Sequence, residues 1–138
     1  MVIKELNPVQ VGDISEAKVL TRFVELGHGV LIPWSNGLRY DLVVDFNQSG
    51  NLQRIQIKTG RIQNGCIVFN AASQDPTDRH KKINYRGDID SFGVYCRDNG
   101  KTYIVPVEHA PTMSCYLRVE PPKNNQRKGI RWAKDYEL

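Results

Sequence analysis

The sequence predicts a mixed α/β fold in a single domain over residues 1–138. Three observations carry that expectation. A helix-period stretch stands near the N-terminus, a series of short β-branched and aromatic segments follows it, and turn residues separate those segments. With 40% hydrophobic and 25% charged side chains, the 138-residue chain is long enough to bury a core without disulfides.

Residues 1–11 read as a lead-in containing Pro8, and a helix is expected over 12–26, with Gly12 or Asp13 at its start and Gly27 beyond its end. On a helical wheel Ala17, Leu20, Phe23 and Val24 make the apolar stripe, with Lys18, Arg22 and Glu25 opposite. Glu16 falls inside the apolar sector, where a carboxylate is costly unless paired, protonated or bound to a metal. Taken alone, a boundary glutamate favoured by the helix dipole is the simpler account. A short strand over 30–33 ends at Pro33, and the loop 34–39 leads into Tyr40-Asp41.

From Tyr40 to Arg61 the pattern is a hairpin, with turn chemistry in Asn47-Gln48-Ser49-Gly50-Asn51. A turn centred between Ser49 and Gly50 pairs Asp41 with Lys58, Val43 with Gln56 and Asp45 with Arg54 on one face. The other face carries Leu42 with Ile57, Val44 with Ile55 and Phe46 with Gln53. A carboxylate, an amide oxygen and an ammonium are thereby gathered at one end. A hard divalent ion takes oxygen ligands of this kind, and a nearby amine can orient or deprotonate a water. A solvated cross-strand ion pair explains the hairpin as well, and the hairpin alone leaves both accounts open.

Residues 66–69 are expected as a strand, and 70–91 as a polar segment rich in basic side chains. Arg79, His80, Lys81, Lys82 and Arg86, interleaved with Asn84 and Tyr85, suit phosphate and nucleotide contact, and equally suit a solvated loop. Strands over 92–96 and 102–105 flank an Asn-Gly turn, a helical turn broken by Pro111 lies within 108–113, and a last strand covers 116–119. The basic tail, with Trp132 and Tyr136, is expected to form a helix from about Ile130 and to contact nucleic acid or cap the fold.

A net charge of +4 and a pI near 9.0 lean towards an anionic partner. Cys66, Cys96 and Cys115 are widely spaced and form no metal-ligand pair. With neither a signal-peptide pattern nor an apolar run of the ~18 residues a membrane span needs, a cytoplasmic location is expected.

Glu16 on a helix, Asp41 opening one strand and Gln56-Ile57-Lys58 closing the next resemble the PD-(D/E)XK nuclease pattern. Within that superfamily the chain looks like the group I intron-associated homing endonucleases. The likeness extends over Gly29-Val30-Leu31-Ile32-Pro33, Tyr40-Asp41-Leu42-Val43-Val44, Gln56-Ile57-Lys58-Thr59, Tyr85-Arg86-Gly87-Asp88-Ile89-Asp90, Val94-Tyr95 and Asn124-Asn125-Gln126-Arg127-Lys128-Gly129-Ile130-Arg131. The superfamily usually has Asp or Glu where this chain has Gln56, and glutamine at this point resembles the homing-endonuclease branch.

The resemblance implies a restriction-endonuclease-like mixed sheet flanked by helices, and a site-specific DNA endonuclease using Mg2+ or Mn2+. Asp41, the Gln56 side chain and the Ile57 main-chain carbonyl would bind the metal, with Glu16 acting through water or on a second ion. Lys58 would orient the attacking water. Ser35, Arg39, Arg61, Arg79, Lys81, Lys82, Tyr85 and Arg86 would contact double-stranded DNA, and a homodimer or homotetramer would deliver a double-strand cut. Two rival expectations stand beside it: a structure-specific nuclease such as a Holliday-junction resolvase, and a non-catalytic DNA-binding module.

Overall fold

A computed structural model describes residues 4–138. Among the described residues one α-helix, α1 (Pro8–Glu25), precedes nine strands: β1 (Gly29–Leu31), β2 (Leu42–Phe46), β3 (Asn51–Gln63), β4 (Cys66–Asn70), β5 (Ala72–Gln74), β6 (Lys82–Asn84), β7 (Ser91–Cys96), β8 (Lys101–Pro106) and β9 (Ser114–Arg118). Residues 1–3 of the expected lead-in lie outside the described residues.

The helix starts four residues earlier than expected. Asn7 caps it, accepting from the Gln10 backbone while the Gln10 side chain accepts from the Asn7 N–H, and Pro8 occupies the first turn. The docking stripe is also rotated: Ser15, Val19 and Phe23 are buried, whereas Ala17 and Val24 are exposed. Gly93 explains the rotation, because a Cβ there would stand 2.9 Å from Val19 Cγ1 and 3.0 Å from Ile55 Cγ2. The bare backbone of β7 lets this helix face approach closely. Glu16 consequently sits exposed at the edge of the stripe instead of within it.

Strand β3 organises the sheet. It pairs antiparallel with β2, parallel with β7, and then antiparallel with β4 over Arg61, Ile62 and Gln63. At the change of partners stands Gly60, where a Cβ would meet Ile67 and Val94 side-chain carbons at 2.8 and 3.0 Å. Val19 and Phe23 pack with Leu42, Val44, Ile55 and Ile57, the apolar hairpin face expected from the sequence. A second core, including Phe69, Tyr85, Phe92, Val94 and Leu117, occupies the other region of the sheet.

The hairpin register differs from expectation by two residues: Leu42 pairs with Ile55, Val43 with Arg54 and Asp45 with Leu52. Asn47 and Gln48 take φ of +56° and +52°, so the chain reverses immediately after Phe46. Because the shift is even, every side chain keeps its face. Asp41 now stands level with Gln56 instead of Lys58, and Arg54 pairs with Asp90 at 3.2 Å instead of with Asp45.

Other differences follow local chemistry. The polar segment contains a two-stranded ribbon, β5–β6, set apart from the main sheet. The turn before Pro111 is a 3-10 turn, Val107–His109, and the expected C-terminal helix is only a second one, Ala133–Asp135. The expectation of several flanking helices is therefore reduced to α1 among the described residues. The tail caps the fold: Ala133 is buried, Trp132 bridges Arg118, and the Leu138 N–H donates to the Thr102 carbonyl.

Candidate active site

The site forms where β2 and β3 part. Their ladder ends at Leu42 and Ile55, and one residue earlier the Asp41 N–H still donates to the Ile55 carbonyl at 2.8 Å. Asp41 Oδ2 then accepts the Ile57 N–H at 2.8 Å, so a side-chain carboxylate continues the ladder past the end of the strand. A residue's N–H and C=O leave a strand on the same side, which directs the Ile57 carbonyl to this edge as well.

Asp41 and Glu16 line one cleft of about 330 Å³, together with Ile32, Pro33, Ser35, Asn36, Leu38 and Tyr40. Burial raises the carboxyl of Asp41 above its usual range, against the opposing pull of the Ile57 N–H and the Lys58 charge. Glu16, although an exposed residue, is also raised, first by partial loss of hydration and then by the negative charges of Asp41 and Asp13. Two carboxylates that destabilise one another's charge, beside a main-chain carbonyl, suit a hard divalent cation.

The Gln56 side chain reaches the same edge. Its amide lies between two acceptors, and with Nε2 turned towards them it donates to Arg39 O at 2.7 Å and Asp41 Oδ2 at 3.3 Å. The other orientation, a half-turn away, places Oε1 on the Asp41 side.

Lys58 stands on the same strand face, two residues on, with its ammonium donating to the Tyr85 hydroxyl at 3.1 Å. The three ion pairs among the described residues, Arg39–Asp88, Arg54–Asp90 and Lys101–Glu137, do not include it.

The expected DNA-contacting residues separate into groups. Arg79, Lys81 and Lys82 are exposed on the β5–β6 ribbon and its connecting loop, and Ser35 is exposed at the cleft. Arg86 is exposed but donates to the Ala110 carbonyl at 2.9 Å. Arg61 is exposed beyond Gly60 and is not among the residues lining the cleft. Tyr85 is corrected: at 4% exposure, packed edge-on against Phe92, it offers no ring face for a base to stack on. Arg39 is committed within the chain, donating to Ser73 Oγ, the Asn84 carbonyl and Asp88 at 3.1 to 3.2 Å.

Sequence reasoning missed two features. Trp34 is 102% exposed beside the cleft residues Ile32 and Pro33, and the hydroxyls of Ser15 and Thr59 meet at 2.5 Å between α1 and β3. The aromatic character of residue 34 was legible, but its exposure depends on how the loop leaves the sheet.

The family described as PD-(D/E)XK endonuclease matches residues 6–138. Among solved structures, a bacterial homing endonuclease, I-Ssp6803I, is similar at a TM-score of 0.75 and 28% identity, covering 96% of this chain and 89% of that one. No curated protein matches the sequence.

Proposed function

The chain belongs to the PD-(D/E)XK endonuclease family, and from that premise we propose that it is a divalent-metal-dependent, site-specific DNA endonuclease of the homing type. The observation that carries this reading is the meeting of Asp41 and Glu16 in one cleft, with the Ile57 carbonyl directed to the same edge and Lys58 close by.

Asp41, Glu16 and the Ile57 carbonyl would hold the metal, Mg2+ or Mn2+, with Gln56 joining after its amide turns. A bound ion supplies charge stabilisation at the phosphate and makes a water more acidic. Asp41 keeps one oxygen anchored on the Ile57 N–H, which fixes the carboxylate without using its second oxygen. Lys58 contributes a positive charge and N–H donors where negative charge grows in the transition state. Arg79, Lys81 and Lys82 offer the phosphate-binding surface, and one cleft per chain means that a double-strand cut needs at least two copies, as a homodimer or homotetramer.

The test is cleavage of a plasmid library with magnesium, comparing wild type with Lys58→Ala. Cutting at one long defined sequence, lost in the variant, is expected. Cutting confined to branched DNA would replace site-specific with structure-specific action. Binding with no cleavage of either substrate would leave only a DNA-binding module.

A further inference from the structure

Lys58 and Arg39 both converge on Tyr85. The Lys58 ammonium is 3.1 Å from the phenol oxygen and 4.7 Å from the ring centroid, and the Arg39 guanidinium carbon lies 4.1 Å from the same centroid. Tyr85 itself cannot move freely. It is 4% exposed, and its ring packs edge-on against Phe92, which pairs with Gln56 across the parallel β3–β7 ladder. A phenol on so constrained a ring is a fixed acceptor for a side chain that otherwise has four freely rotating bonds.

Arg39 extends the connection outward. Besides its place over Tyr85, it donates to Ser73 on β5, to the carbonyls of Ile83 and Asn84 on β6, and to Asp88. The ribbon carrying Arg79, Lys81 and Lys82 is therefore joined to Lys58 through two side chains, Arg39 and Tyr85.

Resting on the nuclease reading, we propose that Tyr85 is a positioning residue for Lys58, its ring held by Phe92 on one side and by the Arg39 guanidinium over its face. The phenol oxygen holds the ammonium in place before substrate arrives.

The test uses Tyr85→Phe, which keeps the buried ring and removes only the acceptor. The rate of cutting of prebound DNA is expected to fall about tenfold, the scale of a lost hydrogen bond to a charged group. DNA affinity measured in EDTA should hold, and the melting temperature should fall by no more than the few degrees that one hydrogen bond accounts for. A ring needed only for packing is fully served by phenylalanine, so a wild-type rate in this variant overturns the proposal. A rate lowered only in proportion to lost binding overturns it too.

A second measurement does not depend on cleavage. In the DNA-free wild type, the Lys58 ammonium resonance, assigned by its loss in Lys58→Ala, should be displaced from those of solvated lysines and should move in Tyr85→Phe. Coincidence with the solvated lysines in wild type rejects the contact. If wild type cuts no DNA while this resonance is displaced, the nuclease reading has failed and the catalytic part of the proposal falls with it; the Lys58–Tyr85 contact stands.

Discussion

Asp41 accepts the Ile57 N–H at 2.8 Å where β2 has already ended, so its carboxylate takes the place of the next backbone acceptor in the ladder. An asparagine oxygen can accept the same proton but carries no charge. Asp41→Asn should therefore abolish metal-dependent cleavage and raise the melting temperature of the metal-free protein at neutral pH by about 2 °C. A cleavage assay and a thermal melt in EDTA check both halves, and a lower melting temperature would show that the charge is stabilising.

The same carboxyls set a pH dependence. Asp41 and Glu16 are held above their ordinary values of 3.8 and 4.5, so the native state binds their protons more tightly than the unfolded chain does. Their unfavourable contribution is absent below those values and reaches full size once pH exceeds the raised ones. Asp90, held below 3.8 chiefly by Arg54, acts in the opposite sense. The difference in stability between wild type and Asp41→Asn reports Asp41 together with the part of the Glu16 shift that Asp41 causes, and it should widen in favour of the variant as pH rises through this range. Over the same range Mn2+ binding to wild type, followed by its paramagnetic resonance, should strengthen as protons leave the site.

Arg39 makes hydrogen bonds to four separate groups through a planar fork that lysine cannot reproduce. Arg39→Lys should cost about 1–2 kcal/mol in chemical denaturation. Amide exchange should quicken over β5 and β6 before it does in β3. Unchanged ribbon exchange would show that Arg39 does not secure it.

If Arg79, Lys81 and Lys82 bind phosphates, affinity for DNA falls steeply with salt. Alanine at each should reduce the slope of log affinity against log salt by about one. Binding titrations at several salt concentrations measure this, and an unaltered slope removes that residue from the interface.

Trp34 and Trp132 are the two tryptophans, and Trp34 alone is fully exposed, beside the cleft. In a Trp132→Phe background, DNA should quench Trp34 emission as the indole meets nucleotides flanking the scissile bond. Quenching that follows protein concentration without DNA would place Trp34 in a contact between copies instead.

Much of the fold was readable because the chain is locally consistent. The alternation of Leu42, Val44, Ile55 and Ile57 identifies the buried hairpin face in any even register, and that face is the one observed. The Asn99-Gly100 turn likewise marks the β7–β8 hairpin. The helix start was missed because Asn7 and Gln10 signal a cap through spacing while the apolar stripe begins later. The ribbon was missed because three-residue strands with few apolar side chains leave little periodicity.

The sequence by itself determined which residue types could make the chemistry, Glu16, Asp41, Gln56 and Lys58, and that the hairpin places the last three on one strand face. Only the tertiary structure decided their relations. The positive-φ turn at Asn47 and Gln48 sets Asp41 level with Gln56, the close approach at Gly93 rotates Glu16 to the stripe edge, and burial turns Tyr85 from a surface contact into a partner for Lys58. Periodicity specifies the face a side chain occupies, whereas depth along that face and the partner met there depend on backbone contacts between distant segments.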